Sequence, residues 1–341
     1  MAITAGYDVG GAHLKVALAE GKRTIAVRQV ACPLWRGLDR LDAAFAEVAP
    51  LVARADTHAA TMTGELCELF PDRRSGVAAI LDRLEAILLP AMRIWMGPHG
   101  FGDIEEAHAD PLSAASTNFL ASATLVSRRM SDALLIDMGS TTTDIIPIVG
   151  GKPSARGMTD GERLATGELI YTGLTRTDVS FVTRSARFGG HMQRLAAGHF
   201  ANMADVRRVL GELPDGVDQH DTLDGHGKTI NESVTRFARC FGRDAIDATA
   251  DEWRAAAREI AERQTDDIRA AIDEVLAAAA LPKDAPVIAA GIGTAQVETF
   301  AAGIGRPCTT FGVLANAAPE CAEWATRCAP AVAVALLMQA A

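Results

Sequence analysis

The feature that most constrains the fold is a strand–turn–strand pattern that occurs twice in the chain. In the first copy, a strand predicted over 3–9 contains Asp8, two glycines form the turn, and Lys15 lies on the returning strand. In the second copy, a buried strand predicted over 133–138 contains Asp137, and Asp144 follows on the next strand. Because each half of the chain opens with the same hairpin, the pattern predicts a duplicated α/β architecture.

The first turn has the composition of a phosphate-binding loop. Since glycine has no Cβ, Gly10 and Gly11 allow backbone N–H groups to approach an anion closely. Lys15 adds a point positive charge for a phosphate oxygen, and Asp8 can hold Mg²⁺ directly or through water. Strand alternation places His13 on the same face as Lys15, where it either donates to phosphate or is an ordinary turn histidine. Alone, the turn is equally well explained as a tight hairpin with surface charges.

The second turn strengthens the phosphate interpretation. Its hydroxyl and backbone N–H groups suit phosphate oxygens: Gly139, Ser140, Thr141 and Thr142. The flanking carboxylates of Asp137 and Asp144 suit a hydrated metal ion. A single hydroxyl-rich turn could serve only to stabilise its own backbone. Two such turns, each opening one half of the chain, predict a cleft that binds phosphate.

A third motif follows in the same order along the chain. The strand predicted over 286–290 runs into Gly291 and Gly293, and a helix begins at Thr294. We expect Thr294 to be the N-cap and the positive end of the helix to face a ligand. Strand–glycine–helix junctions are common in α/β folds, so this motif gains its value from following the other two.

Composition restricts the partners. The chain has 341 residues, 33 Lys and Arg against 43 Asp and Glu, and a formal net charge of −10, so it lacks the basic surface that nucleic-acid binding requires. Six scattered cysteines without a C-x-x-C pair indicate reduced thiols and no zinc site. No signal peptide is recognisable, and the late apolar run over 331–338 is too short to span a membrane. We therefore expect a cytoplasmic protein without membrane contact, and the sequence leaves open whether it forms a homo-oligomer.

Hydrophobic periodicity gives the coarse order of elements. In an N-terminal domain over 1–130 we predict strands over 3–9, 14–19, 24–30, 58–63 and 92–96, and helices over 39–54, 77–89 and 113–129. In a second domain over 131–329 we predict strands over 133–138, 144–149, 153–156, 286–290 and 306–311, and helices over 252–279 and 294–301. We take 178–251 as an insertion of helices and loops. A C-terminal helix over 330–341 is expected to fold back on the first domain.

The three motifs, in this order, resemble the two phosphate loops and the nucleoside loop of the actin-like ATPase domain superfamily, which includes sugar kinases, acetate kinase and actin. The segments MTGE (62–65), ASTNF (115–119), IDMGSTTTDI (136–145) and GELIYTG (167–173) resemble its hydantoinase/oxoprolinase branch. Within that branch, the short chain with its DVGGAHLK turn is similar to the tetrahydromethanopterin-linked one-carbon-transfer proteins of methylotrophs, and these resemble the archaeal furanmethanamine synthase of methanofuran biosynthesis. The resemblance implies an α/β fold of two actin-like (ribonuclease H-like) domains around a central cleft.

The resemblance also implies a reaction. An aminomethyl-furanmethanol diphosphate would be joined to the phenol oxygen of a tyramine- or tyrosine-derived acceptor, with release of diphosphate, in methylofuran biosynthesis. In this transferase, Asp8, Asp137 and Asp144 would form the shell of a Mg²⁺ ion, while Lys15 and the two turns bind the diphosphate. No step requires ATP. Superfamily kinases use a catalytic aspartate as base; Asp144 is a candidate by position only, and a phenol with a pKa of about 10 needs less base assistance.

Two other functions fit the same motifs. One is an ATP-dependent kinase or a hydantoinase/oxoprolinase-like hydrolase, and the other is a nucleotide-sensing protein without turnover. The loop from Gly291 to Thr294 is short and no recognisable adenine sandwich follows it. This observation favours the transferase. The acceptor's glutamylation is not specified by the sequence.

Some candidate residues keep two interpretations. Glu65 either reaches the cleft or begins a helix, and Asn118 either binds substrate or caps a strand. Arg163 either faces an anion or forms a surface charge pair. Arg236 and Arg239 either receive a carboxylate or, as we expect, form a solvated helix face.

The segment 214–228 is polar and glycine-rich. It contains four potential metal ligands: His220, Asp221, Asp224 and His226. Because it lacks hydrophobic periodicity, we expect a mobile loop, which could act as a lid over the substrate.

Overall fold

The computed structural model describes residues 2–88 and 92–340. The first half contains, in order, β1 (Ile3–Val9), β2 (His13–Glu20), β3 (Arg23–Ala31), α1 (Asp39–Val52), β4 (Thr57–Met62), α2 (Arg73–Leu88), β5 (Met92–Trp95), β6 (Phe101–Gly102), α3 (Ile104–Ala109) and α4 (Asn118–Ser127). Their strands form one sheet in the order β3-β2-β1-β4-β5-β6. β1 is antiparallel to β2 and parallel to β4.

The second half repeats this plan with a larger insertion. It contains β7 (Ala133–Met138), β8 (Thr143–Val149), β9 (Lys152–Pro153), α5 (Asp160–Ala165), β10 (Leu169–Ile170), α6 (Val179–Val182), β11 (Ser185–Phe188), β12 (His191–Arg194), α7 (Met203–Leu210), α8 (Ile230–Cys240), α9 (Ala250–Ala278), β13 (Val287–Ala290), α10 (Thr294–Gly303), β14 (Cys308–Thr310), α11 (Phe311–Leu314), α12 (Ala322–Arg327) and α13 (Ala329–Met338). The second sheet has the order β10-β8-β7-β13-β14, and β9 pairs with β8.

The two sheets share one topology. In each, the first strand lies between an antiparallel hairpin partner and a parallel strand, β1 between β2 and β4 and β7 between β8 and β13. The register pairs Asp8 with Lys15 in one hairpin and Asp137 with Asp144 in the other. The predicted duplication of an α/β unit is therefore confirmed.

A continuous apolar core joins the halves, because the apolar helices α4 and α13 pack on each other and on strands of both sheets. α13 lies very close to β1: a Cβ at Gly6 would stand 2.2 Å from the carbonyl oxygen of Ala331. Only glycine allows this approach, since real Cβ contacts are never so short. Through these two helices, the core connects the first strands of both sheets.

Several predicted boundaries differ from the observed ones. The helix predicted over 113–129 begins only at Asn118, because Ser116 adopts a left-handed φ of 52° that interrupts a helix. The strand predicted over 153–156 is confined to Lys152–Pro153. The predicted ends at Leu89 and Ala341 lie outside the described residues.

The insertion has a core of its own, built on Phe237, Phe241 and Trp253. The expectation of a solvated face for the two arginines of α8 is wrong for Arg236, which is fully buried. Its guanidinium donates to Asp205 at 2.7 Å and to Asp224 at 3.0 Å, and these carboxylates compensate the buried charge.

Among the described helices, none by itself is both long and apolar enough to cross a membrane. Pro319–Arg327 and Ala329–Met338 meet the length and composition only as a pair, and this pair is bent by 110°. Cytoplasmic location stays a prediction.

Candidate active site

The two predicted phosphate turns have the same closure. The N–H of Gly10 donates to the carbonyl of His13 at 3.0 Å, and the N–H of Gly139 donates to the carbonyl of Thr142 at 2.9 Å. Each glycine follows the strand aspartate at the same spacing, so Lys15 and Asp144 occupy equivalent positions in the two hairpins.

Both turns line one cavity of about 280 Å³, which receives side chains from both halves of the chain. The predicted site residues in its lining are Gly10, Gly11, His13, Lys15, Asn118, Asp137, Gly139, Ser140, Thr141, Thr142 and Asp144. Five others lie outside that lining: Asp8, Glu65, Gly291, Gly293 and Thr294.

Lys15 lies at the centre of a carboxylate cluster. Its ammonium donates to Oδ2 of Asp8 at 3.0 Å, and Asp8 is only 1% exposed. Burial alone would lower the pKa of Lys15, but the negative charges of Asp8 and Asp137 outweigh it and raise the pKa. Burial raises the pKa of Asp137 to about 7, against the opposing effect of Lys15. The ammonium is therefore the counter-charge for aspartates of both hairpins.

Asp144 has a different partner. Arg163, 2% exposed, donates from its guanidinium to Oδ1 of Asp144 and to the carbonyl of Glu168 at 3.2 Å. The same guanidinium stacks over the ring of Phe119 at 3.7 Å. Of the two interpretations left open for Arg163, the surface charge pair is excluded: Arg163 is buried in the cavity lining, and its pairing occupies one oxygen of Asp144.

Glu65 and Asn118 have separate environments. Glu65 is buried behind the cavity lining and accepts a hydrogen bond from Ser116 at 2.6 Å, while burial raises its pKa. Asn118 lines the cavity at the first residue of α4, and its Oδ1 accepts from the N–H of Phe119 at 2.7 Å. Of the two, Asn118 is the one that a ligand in the cavity can contact.

The glycine-rich third motif supports Asp137 from behind. Gly291 has φ of +82°, and a Cβ there would stand 2.5 Å from Oδ1 of Asp137. The prediction that Thr294 is the N-cap is wrong: the N-cap is Gly293, and the Thr294 hydroxyl donates to the carbonyl of Gly291 at 2.8 Å. The loop therefore fixes the position of the aspartate at the end of β7.

Arg176 is a cavity residue that the sequence analysis missed. Its N–H donates to the carbonyl of Ser140 at 2.8 Å, and its guanidinium stacks over the ring of Trp35 at 4.7 Å. The neighbouring Gly173 packs on the second turn, where a Cβ would meet the N–H of Thr141 at 2.6 Å. The only sequence signal for Arg176 was its position just after the 167–173 segment. No local pattern indicates its contact with Trp35 of the other half.

The backbone of this segment is held from a distant helix. Gln264, buried in α9, donates to the carbonyl of Gly173 at 2.7 Å and to the hydroxyl of Thr172 at 2.9 Å. The side-chain oxygen Oε1 of Gln264 accepts in turn from the guanidinium of Arg207 at 3.0 Å. This network orients the segment that carries Arg176.

The 214–228 loop reaches across to the first half. Gln219 donates to the carbonyl of Gln29 at 3.3 Å, and Arg36 donates to Asp221 at 3.4 Å. The ring of His220 lies 4.6 Å from that of His13 and 5.5 Å from that of Trp35, centroid to centroid. No local pattern predicts this contact, since the loop has no hydrophobic periodicity.

Within residues 2–88 and 92–340, no three His, Cys, Asp or Glu side chains are grouped so as to hold a metal ion between them. This applies to the four polar residues of the loop and to the three aspartates of the hairpins. A hydrated Mg²⁺ needs only one or two carboxylates, with water and substrate phosphates completing its shell.

The strand order and the two turns facing one cavity define an actin-like α/β fold of two related domains around a cleft. Residues 56–340 match the hydantoinase/oxoprolinase family, and the chain belongs to that family. It is an enzyme of the family, since both curated relatives described below are named synthases.

The first relative, from Methanocaldococcus jannaschii, is 32% identical over 244 residues, which is 71% of this chain and 72% of the relative. Its name describes a furan-2-yl-methanamine synthase whose product carries a γ-L-glutamylaminoethyl-phenoxymethyl group. A synthase of the same name from Methanococcus vannielii is 38% identical over 121 residues, 36% of this chain and 54% of the relative.

Among solved structures, an ATP-dependent acetone carboxylase without nucleotide shares the fold. Its TM-score is 0.56 at 10% identity, over 89% of this chain and 67% of the other. The similarity concerns the fold alone.

Proposed function

We propose that this enzyme is a transferase of methylofuran-type cofactor biosynthesis. It joins an aminomethyl-furanmethanol diphosphate to the phenol oxygen of a tyramine- or tyrosine-derived acceptor and releases diphosphate. The relatives' names describe the bond that such a transfer makes, a phenoxymethyl link on a furan. The observation that carries the proposal is that two N–H-rich turns, Lys15 and Arg176 line one cavity of about 280 Å³.

The chemistry follows from the leaving group. The bond between the furan CH₂ carbon and the diphosphate oxygen breaks, and its electron pair leaves with the diphosphate. The phenol oxygen forms the new bond to the same carbon and loses its proton. Since the furan stabilises positive charge on that carbon, the main barrier is the charge that grows on the diphosphate. Fixed N–H groups and cations aimed at this charge lower the barrier.

Three kinds of group in the cavity can receive that charge. The N–H of Gly10 is already bound to the carbonyl of His13, so the first turn offers the N–H of Gly11, and the Ser140–Thr142 turn adds hydroxyls. Arg176 brings a guanidinium from the second half. Lys15 is already paired with Asp8, so the carboxylate of Asp8 offsets part of the positive charge that Lys15 presents to the diphosphate.

The donor set fits a hydrated Mg²⁺. Oδ1 of Asp8 is buried and, among the described residues, has no hydrogen-bond partner, while Asp137 and Asp144 are carboxylates in the cavity lining. Asp137 and Asp144, with Asp8 beneath them, would hold the ion through its waters. When bound, it would neutralise negative charge on the diphosphate.

The test is an assay of the purified chain with Mg²⁺. It is given the furanmethanol diphosphate with tyramine or a tyrosine-derived acceptor, and diphosphate release and product mass are measured. A parallel reaction receives ATP in place of the furan substrate. Release of diphosphate together with the aryl ether supports the proposal.

Two outcomes would overturn it. ATP hydrolysis without ether formation would identify a kinase or hydrolase, and nucleotide binding without either reaction would identify a sensor.

Arg176→Met is expected to lower turnover by about 100-fold, because one charged donor to the leaving group is lost. Arg184→Met is the matched control, since Arg184 is an exposed arginine of the same half.

A further inference from the structure

Two buried imidazole nitrogens next to the cavity lack a protein partner. Nε2 of His13 and Nε2 of His220 are both inaccessible to solvent, and neither has a hydrogen bond to any described residue. Their rings lie 4.6 Å apart. Leaving a buried polar atom unpaired costs about 1–3 kcal/mol, so native proteins rarely do it without a function. The pair is the polar feature of this region that the diphosphate chemistry does not use.

The surroundings of the pair are aromatic. His13 lines the cavity beside Lys15, and Trp35 and Tyr171 line the same cavity. The ring of Trp35 also lies 5.5 Å from that of His220. An aromatic substrate that carries one hydroxyl matches this combination, because its ring packs on aromatic faces while the hydroxyl needs a polar partner.

Burial and neighbouring positive charges keep both histidines neutral. Burial lowers the pKa of His13 well below its ordinary value, and the facing groups His220, Lys15 and Arg176 lower it further. Burial and Arg176 lower the pKa of His220 to about 4, with a smaller lowering by Lys228 and opposing effects of Asp218 and Asp221. A neutral imidazole has a lone pair that can accept a proton.

Two of the other candidate bases are occupied or remote. One oxygen of Asp144 is bound by Arg163, and Glu65 lies outside the cavity lining and is bound by Ser116. Among the described residues of the lining, His13 combines an unpartnered nitrogen with a position in the cavity.

We propose that His13 is the catalytic base that takes the proton of the phenolic acceptor, and that His220, which lies on the 214–228 loop, positions the ring of His13. This inference rests on the proposed transfer reaction and deepens it. The phenol O–H bond breaks and its proton moves to the imidazole of His13, which lines the cavity. The phenol oxygen bonds to the furan CH₂ carbon as the bond from that carbon to the diphosphate breaks. The imidazolium then returns its proton to solvent or to the departing diphosphate.

The timing of the proton transfer follows from the two acids. A resting phenol, with a pKa of about 10, is a weak acid toward an imidazole of lowered pKa. As the new carbon–oxygen bond forms, the phenol oxygen becomes much more acidic, and transfer becomes favourable. The proton therefore moves during ether formation, and a more acidic phenol needs the base less.

That dependence supplies the test. Turnover of His13→Gln is measured with tyramine and with a ring-fluorinated tyramine whose phenol is more acidic. The expected loss is about 100-fold with tyramine and clearly smaller with the fluorinated acceptor. His220→Ala is expected to lower kcat about 10-fold with a smaller change in KM for the acceptor, because it removes the ring contact that positions the base. His191→Gln, at an exposed histidine, is the matched control and should behave as the unmodified chain.

A binding measurement separates this inference from the proposed function. Calorimetric titration with tyramine alone should show similar binding to the unmodified chain, to His191→Gln and to His220→Ala. If tyramine binds but no ether forms, the transfer reaction is wrong and the catalytic role of His13 fails with it. If ether forms and His13→Gln loses activity equally with both acceptors, or loses none, the reaction stands and the base assignment is wrong. Far-ultraviolet circular dichroism of each variant identifies any loss that is due to misfolding.

Discussion

Replacing Lys15 with methionine tests the charge balance at the base of the cavity. The ammonium is the partner of Asp8, which is 1% exposed, and it also lowers the pKa of Asp137. Methionine retains most of the aliphatic length and removes the charge. The variant therefore leaves carboxylates of both hairpins without their common counter-ion.

The magnitude follows from burial. Breaking a buried ion pair by removing one partner costs about 3–5 kcal/mol, but the Lys15 side chain is 24% exposed, so we expect about 3 kcal/mol near pH 8. Because the pKa of Lys15 is raised on folding, its own stabilising effect is fully present below the unfolded-state pKa and is constant through the neutral range. The pH dependence comes from Asp137, which can bind a proton in the folded state because burial raises its pKa to about 7. Near pH 5 the loss should fall to about 1 kcal/mol.

Urea unfolding followed by circular dichroism, near pH 5 and near pH 8, measures these free energies. Lys22→Met, at an exposed lysine of the same β2–β3 hairpin, is the control and should change stability by less than about 0.5 kcal/mol. Adding Asp8→Asn to Lys15→Met should recover part of the loss, since it removes the uncompensated charge. Equal stability of Lys15→Met and the unmodified chain near pH 8 would refute the argument.

Three further substitutions test other parts of the site and its support. Burial raises the pKa of Asp137 to about 7, so the folded state holds a proton that the unfolded state loses, and stability falls as pH rises toward 7. In urea unfolding, Asp137→Asn should therefore gain about 2 kcal/mol of stability near pH 8 and little near pH 5. A loss of stability near pH 8 would contradict this sign. Gly291 has φ of +82°, and a Cβ there would stand 2.2 Å from a carbonyl of β7, so Gly291→Ala should lower the free energy of unfolding by about 3 kcal/mol. Gly305 has φ of +68° and open space around it, so Gly305→Ala should lower it by about 1 kcal/mol. Equal losses would mean that the close contact is unimportant. Arg236→Met should cost about 3 kcal/mol in thermal or urea unfolding, because it removes the nearer of the two arginines bound to the buried carboxylate of Asp205. Arg239→Met, at a nearly half-exposed arginine, should cost under about 1 kcal/mol, and similar values for the two would overturn the distinction.

Local patterns in the sequence predicted the two hairpins and their shared topology. The reason is that strand periodicity, turn glycines and the spacing from Asp8 to Lys15 and from Asp137 to Asp144 are all short-range signals. The structure brings both turns to one cavity, as those signals required. The glycine-rich third motif was also found, but its role differed, because the tight contact of Gly291 with Asp137 depends on sheet packing.

Long-range partners could not be predicted in this way. Arg236 was expected on a solvated helix face, and the sequence left the environment of Arg163 open. The carboxylates that allow both to be buried lie 31 and 19 residues away in the chain. The meeting of His220 with His13 joins a loop without periodicity to the first hairpin. No local pattern encodes such a contact, because it depends on how the two halves and the insertion pack.

The duplicated hairpins carry opposite charges at their equivalent positions, Lys15 in one and Asp144 in the other, and this bears on metal dependence. Lys15 compensates Asp8 and Asp137, and Arg163 compensates Asp144, so the site is nearly balanced before a substrate enters. In the proposed reaction, an incoming diphosphate would then meet N–H donors and Arg176 but little other uncompensated positive charge, and we propose that a divalent cation would supply what is missing. Calorimetric titration with inorganic diphosphate should therefore show affinity at least about tenfold higher with millimolar Mg²⁺ than with a chelator, and Asp137→Asn should reduce that gain. Equal affinities in the two conditions would mean that the carboxylates serve only to hold Lys15 and Arg163 in place.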